Sequence, residues 1–467
     1  MNRNTNSWGR LKRVPRSLRP YAQDLLLSAR PESVLPFGNG RSYGDSCLND
    51  QGTLLASRPT EEILDFDPET GVLHAQSGVL LGDILTRIAS EGWFLPVVPG
   101  TRFVTLGGAI ANDIHGKNHM HQGTFGAHVL EFGLARSDHA ALTCSPQQNA
   151  ELFCSTIGGM GLTGFITDAK IQLMQVPSHY VEEQIHPFAS LEEFVERNAE
   201  LESENEYCVA WVDSLAKDKN FGRGLLITGN HVASDAMPKY APPILNVPVT
   251  PPFPLVAGVP LRAFNWAYRT SKSRKSGATL STPAGFFFPL DAIGGWNRLY
   301  GPKGLFQHQS VVPDENALVT LKNLIATSQN AGQGSFLTVL KRFGEIPSPS
   351  PMSFPMRGYT LTLDFPNRGA KTLALLEKLD AIVLAAGGRI NPYKDARMSA
   401  ETFKRSFPDY ESLEQWRDPA ITSDFWERVS GRVTVSPPSL ETPSNNGHLN
   451  QPVNQNPKPR FQEPHLT

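Results

Sequence analysis

The sequence predicts an α+β protein of two domains, and three observations carry that prediction. The chain has 467 residues, more than the roughly 250–300 at which one hydrophobic core stops growing, so two cores are expected. Before Pro177, short apolar strands surround isolated helical signals. Beyond it, two long helical patterns stand among strand-like runs, an arrangement that suits helices packed on a mostly antiparallel sheet.

The first domain is expected over residues 1–176, closing at Val176-Pro177. Ser33 to Pro36, Phe94 to Val98 and Phe165 to Leu173 read as strands, while Leu81, Ile84, Leu85 and Ile88 recur at helical spacing and stop at Gly92. A turn at Pro99-Gly100 delivers Thr105 as the N-cap of a Gly-Gly-Ala-Ile-Ala helix, and Ala150 to Ser155 reads as another helix. The second domain is expected over 177–398. Ser190 with Glu193 three residues later is a capping signal for a helix that turns Leu191, Phe194 and Val195 inward. Strands follow at Tyr207 to Val212, Phe336 to Arg342 and Tyr359 to Leu363, with helices at about Glu315 to Gln329 and Lys371 to Ala386.

Met237 to Val259 is thick with proline, including Pro242-Pro243 and Pro251-Pro252-Phe253-Pro254, which denies it regular structure. A mobile flap over about 237–275 is expected, with Arg269, Lys272, Arg274 and Lys275 beside the apolar stretch. That combination suits a lipid tail and a phosphate; it is equally the composition of a proline-stiffened surface loop. Helices over 399–435 complete the fold. From Ser436 to Thr467 the chain is Pro, Ser, Asn and Gln with few apolar residues, the composition of a disordered tail.

With 43 basic and 45 acidic residues the net charge is −2, which gives no electrostatic reason to expect nucleic acid. Cys47, Cys144, Cys154 and Cys208 lack C-x-x-C spacing, so neither a metal site nor a disulfide scaffold is suggested. The first twenty residues carry several Arg but no apolar h-region, and no run of about 18 apolar residues appears. A cytoplasmic protein, or one peripheral at the inner face of the membrane, is expected.

Chemistry is signalled by Phe37-Gly38-Asn39-Gly40-Arg41-Ser42-Tyr43-Gly44-Asp45. Glycines interrupted by Arg and Ser are backbone suited to approach an anion, with the side chains as further donors, although alone the loop could be an ordinary tight turn. A second segment, Pro99 to Asn118, places Gly100, Thr105, Leu106, Gly107 and Gly108 at a helix N-terminus and continues through Asn112, Asp113, Ile114, His115 and Gly116. Gly159-Met-Gly161-Leu-Thr-Gly164 formally matches a dinucleotide fingerprint, but it lies between a helix and a strand, the reverse of the order that fingerprint needs.

Together these segments resemble the FAD-binding domain (PCMH-type, in two subdomains) of the vanillyl-alcohol oxidase and p-cresol methylhydroxylase flavoproteins. Gly40 to Asp45 and Asp113 to His119 look most like that family's decaprenylphosphoryl-β-D-ribose 2′-oxidase branch. The resemblance implies FAD held by Phe37 to Gly44, Gly100, Thr105 to Gly108 and Asn112 to Gly116, with Ile166 and Asn391 as further contacts. It also makes Gly158 to Gly164 a turn near the cofactor. Tyr43 stands where covalent members carry the linking histidine, so a non-covalent flavin is implied. Gly388 to Arg397 resembles the segment bearing the branch's active-site lysine, here Lys394. Trp296, Tyr300, Gln307 and Gln309 match pocket-lining motifs, Lys117 follows His115 into the site, and Trp211 joins them. One position departs: Thr362 lies where mycobacterial members carry cysteine.

The implied activity is hydride withdrawal from a sugar carbinol, foremost C2 of a polyprenylphosphoryl-β-D-ribose. This would be the oxidative half of an epimerisation in cell-envelope arabinose formation, with a short-chain reductase partner and a quinone-type electron acceptor. An aldonolactone or alditol oxidase of the same fold, and a non-catalytic flavin-binding scaffold, are the alternatives.

Overall fold

The computed structural model describes residues 5–12, 14–240, 245–274 and 277–430. The expected tail from Ser436 lies outside them, as do Pro242, Pro243 and Lys275 of the expected flap.

Three sheets of three or more strands, beside two two-stranded ones, organise the described residues. A three-stranded parallel sheet has β1 (Ser17–Pro20), β2 (Val34–Phe37) and β3 (Thr53–Ala56) in the order β1-β3-β2. A five-stranded antiparallel sheet holds β4 (Ile63–Asp67), β5 (Val72–Gln76), β6 (Val129–Ala135), β7 (Leu142–Cys144) and β8 (Phe165–Gln172), in the order β4-β5-β8-β6-β7. Around it lie α1 (Leu81–Arg87), α2 (Leu106–Ala111) and α3 (Ala150–Thr156). Leu81, Ile84, Leu85 and Ile88, the residues at helical spacing, are fully buried in one core with Leu106, Ala109 and Ile110 of α2.

The third sheet has eight strands. These are β9 (Val181–Phe188), β10 (Tyr207–Val212), β11 (Gly224–His231), β12 (Thr279–Ser281), β13 (Leu305–Val312), β14 (Val339–Phe343), β15 (Gly358–Pro366) and β16 (Arg389–Ile390), in the order β12-β9-β11-β10-β14-β15-β13-β16. Every strand pairing in it is antiparallel. Side chains alternate across a strand, so the register sorts the two faces. One row runs Ser310, Leu361, Leu340, Ala210; its apolar members share a core with Leu321, Leu324, Leu375 and Leu379 of α6 (Ala317–Asn330) and α7 (Ala370–Ala385). The neighbouring row is Gln309, Thr362, Val339, Trp211. Burial of the leucine face under helices therefore leaves the other face free to carry polar groups.

α4 (Leu191–Leu201) starts as its capping residues require, with the Ser190 hydroxyl accepting from Glu193 N. Three local expectations are revised. The strand expected to run to Val98 ends at Phe94, because Pro96 brings no N–H to a ladder. The strand expected from Phe336 begins at Val339. Within the expected flap, residues 258–273 form an amphipathic helix, α5 (Gly258–Ser273), which buries Leu261 and Asn265. Pro260 sits in its first turn, where no intrahelical N–H is needed.

After Ser399 come α8 (Ala400–Ser406), α9 (Tyr410–Trp416) and α10 (Asp424–Val429). They return to the first part of the chain: Val34 N donates to the Ala420 carbonyl at 3.1 Å, and Ser137 N to Asp418 Oδ2 at 2.6 Å.

Candidate active site

The two glycine-bearing segments meet. Thr105 caps α2, its hydroxyl accepting from Gly108 N at 3.2 Å, and a Cβ added to Gly38 would stand 2.5 Å from that hydroxyl. Asn39 Nδ2 donates to the Phe103 carbonyl at 2.9 Å. Arg41 is held between Trp8 and Phe103, with its guanidinium carbon 4.6 and 4.9 Å from the two ring centres. Its Nε is buried without a hydrogen-bond partner, and a Cβ on Gly100 would meet no protein atom within 4 Å. An unpaired buried donor in a glycine-bearing loop fits an anionic cofactor.

Other residues of the second segment shape the loop. Asn112 Nδ2 donates to the Gly108 carbonyl at 2.7 Å, and Ile114 N donates to the Ala109 carbonyl. The fully buried Asp113 carboxylate accepts from Gly126 N at 2.8 Å and from the hydroxyls of Ser348 and Ser353 at 2.5 Å each. Burial raises its pKa, and these bonds oppose the rise. Ile166 lies buried on β8, which packs against α2.

The polar face of the large sheet carries the remaining candidates in register. Gln307 lies opposite Asp364 and Gln309 opposite Thr362. Asp364 accepts from Gln307 Nε2 at 2.6 Å and from the Tyr300 hydroxyl at 3.3 Å. Trp296, in the same short helical turn as Tyr300, packs edge-on against Trp8 with centroids 5.6 Å apart. Gln309 Oε1 accepts from Asn391 Nδ2 at 2.9 Å, while its Nε2 lies 3.1 Å from His115 Nε2 and donates to Thr360 Oγ1. Trp211 lies edge-on to Tyr268 of α5, centroids 5.1 Å apart.

Lys394 Nζ stands over the Tyr43 ring, 5.6 Å from its centre. Burial lowers its pKa to about 8 against the opposing pull of Asp364. Burial likewise raises Asp364 to about 7, opposed by the Gln307 bond, the Lys394 charge and the Tyr300 bond. Burial pushes each partner toward its neutral form. His115 is held well below the ordinary imidazole pKa, first by burial and then by Lys341 and Lys394. Lys117 is turned aside: its Nζ bonds the Phe286 carbonyl and lies 4.4 Å from that ring centre, and burial lowers it to about 8.

Sequence reasoning missed Lys341 and Asp364. Lys341 Nζ donates to the Gly116 carbonyl at 2.9 Å, and burial, then the Lys394 and Lys117 charges, lower its pKa to about 7. Its sequence signal was the alternation Val339, Lys341, Phe343, which puts it on the face opposite Leu340.

Residues 25–145 match the family described as FAD binding domain. A decaprenylphosphoryl-β-D-ribose oxidase of Mycolicibacterium smegmatis is 34% identical over 396 residues, 82% of this chain and 84% of its own. An uncharacterised protein of Streptomyces coelicolor is 31% identical over 360 residues, 72% of this chain and 96% of its own. Human Δ(24)-sterol reductase is 28% identical over 132 residues, 28% of this chain and 25% of its own. The loops that converge around Arg41 lie in or beside the matched FAD-binding region, and the match to the ribose oxidase extends over most of the chain. The chain therefore belongs to the FAD-dependent oxidoreductases of the vanillyl-alcohol oxidase and p-cresol methylhydroxylase family, in the branch that includes decaprenylphosphoryl-β-D-ribose oxidase.

Proposed function

We propose that this enzyme oxidises C2 of a polyprenylphosphoryl-β-D-ribose to the 2′-keto sugar, as the oxidative half of an epimerisation. The observation that carries the reading is Lys394 above Tyr43, with Asp364 as its charge partner and the Gln307–Gln309 pair on the facing sheet. Phe37 to Gly44, Gly100, Thr105 to Gly108, Asn112 to Gly116, Ile166 and Asn391 hold FAD, which when bound supplies the hydride acceptor. Lys394 in its neutral form accepts the sugar hydroxyl proton, and Tyr300, Gln307 and Gln309 orient the ring. His115 stays uncharged and donates or accepts a hydrogen bond without titrating. The sugar stacks along the row that contains Trp211 and Thr362. A short-chain reductase delivers hydride to the keto product, a quinone-type acceptor reoxidises the enzyme, and the protein works peripherally at the inner membrane face.

Purified protein incubated with polyprenylphosphoryl ribose and a quinone analogue is the direct test. A 2′-keto product supports the assignment. Arabino epimer formed with NADH and no second protein removes the need for a reductase partner, and turnover confined to free aldonolactones moves the enzyme to that substrate class.

Two further outcomes are expected. Acid precipitation should release a yellow supernatant, because the Tyr43 phenol cannot form a histidyl link; flavin fluorescence that migrates with the denatured polypeptide would count against this. Thiol-directed electrophiles placed in the pocket should dissociate on dilution, since the Thr362 hydroxyl is a far poorer nucleophile than a thiolate. Intact-mass and peptide mapping read this, and an adduct on the Thr362 peptide would contradict it.

A further inference from the structure

We propose that the outer face of α5 and the proline-rich strand of chain before it dock on an anionic membrane surface. The argument begins with exposure. Val249, Phe253, Val259 and Trp266 are 70%, 62%, 78% and 67% exposed, a concentration of large apolar side chains that soluble surfaces rarely leave uncovered. Val259, Arg262 and Trp266 recur at helical spacing, opposite the face that buries Leu261 and Asn265.

Charge gives the occupant. From Ala236 to Leu290 the sequence contains no Asp or Glu; Lys239, Arg262 and Arg274 are exposed there, whereas Lys272 pairs with Glu183 at 3.4 Å. Exposed tryptophan and aliphatic groups flanked by cations match the interface of a bilayer bearing acidic lipids: the apolar groups enter the acyl boundary, and the cations stay with the phosphates.

The surface is also tied to the pocket. Inside α5, Tyr268 packs on Trp211, and Phe264 lies 4.9 Å from Phe336. Phe336 joins the cluster of Val256, Trp296 and Tyr300, in which Tyr43 also packs. Leu255 N donates to the Leu299 carbonyl at 2.9 Å, which lays the proline-rich segment beside the turn that bears Tyr300. Docking at this face sets the bilayer beside the mouth of the candidate site, so a lipid-linked sugar reaches it without leaving the membrane. That delivery role rests on the substrate proposed above. The docking itself does not.

The test is co-sedimentation of the flavin-loaded full chain with phosphatidylcholine vesicles containing about one-quarter phosphatidylglycerol, against pure phosphatidylcholine. Wild type should partition to the acidic vesicles and be released by salt. Val259→Glu combined with Trp266→Glu should lower that partitioning about tenfold or more, with flavin content and turnover on a detergent-dispersed short-chain polyprenylphosphoryl ribose unchanged. Arg262→Glu with Arg274→Glu should weaken binding to acidic vesicles as a second, independently folded readout. Equal binding to both vesicle types, or unchanged binding in both variants, overturns the proposal. Conversion of a wild-type dimer to a monomer by the first variant overturns it in favour of a second copy as occupant. Absence of turnover on any ribose lipid with vesicle binding intact would remove the substrate reading and leave the docking surface standing.

Discussion

Lys394→Ala should keep its full complement of flavin and lose anaerobic bleaching by the sugar substrate, with the reductive half-reaction slowed about 10²–10⁴-fold, the range a positioned proton-transfer group contributes. The side chain lies above Tyr43 and feels the Asp364 charge, so truncation removes the proton acceptor and leaves the glycine loops as they are. The sign of the pH dependence follows. Burial lowers the ammonium pKa to about 8; below that pH the amine is protonated and cannot accept, so the wild-type rate should rise as pH passes upward through about 8. The variant should lack this rise. Lys394→Arg, which keeps a cation but cannot deprotonate, separates charge from proton transfer and should be as slow as the alanine variant. Stopped-flow bleaching reads all three, and an unchanged rate in either variant removes Lys394 from the chemistry.

Gly44→Ala should produce the largest loss of stability. A Cβ there would stand 1.6 Å from the Asp395 carbonyl oxygen and 2.3 Å from its carbon, and both are backbone atoms that cannot swing aside. Asp45 N also donates to that carbonyl at 3.3 Å, so the contact is the junction between the first glycine loop and the segment bearing Lys394. Opening it should cost about 3 kcal/mol, the upper end of overpacking penalties, and should loosen flavin retention as well. Chemical denaturation and the flavin-to-protein absorbance ratio measure the two effects. Gly100→Ala is the control: with no protein atom within 4 Å, it should leave denaturation of the flavin-free protein unchanged. A Gly44→Ala protein as stable as wild type would mean that the two segments can separate without consequence.

Local chemistry made part of this structure legible. Thr105 and Ser190 cap helices because a hydroxyl before an apolar repeat can do little else, and Tyr207 to Val212 is the strand its residues propose. Long-range pairing was not legible. Asp364 lies one residue past the expected strand end at Leu363, and a carboxylate there reads as the start of a turn; only pairing with Gln307 draws it into the sheet. Lys341 resembles any solvated strand lysine until the turn at Gly116 closes over it. α5 was hidden by its proline-rich approach, which outweighed the spacing of Leu261, Asn265 and Tyr268.

The return of the C-terminal helices has a consequence for how the molecule is made. Residues 420 and 422 hydrogen-bond to both sides of Val34, and Arg428 Nη2 reaches Asp45 Oδ1 at 2.8 Å across 383 residues of sequence. The edge of the sheet that launches the first glycine loop is thus completed by some of the last described residues to leave the ribosome. Contacts of such separation close late and slowly. During synthesis the loop must wait, translated but without its final brace, while the five-stranded and eight-stranded sheets are produced. Full bracing of the loop is thereby coupled to synthesis of residues 420–428.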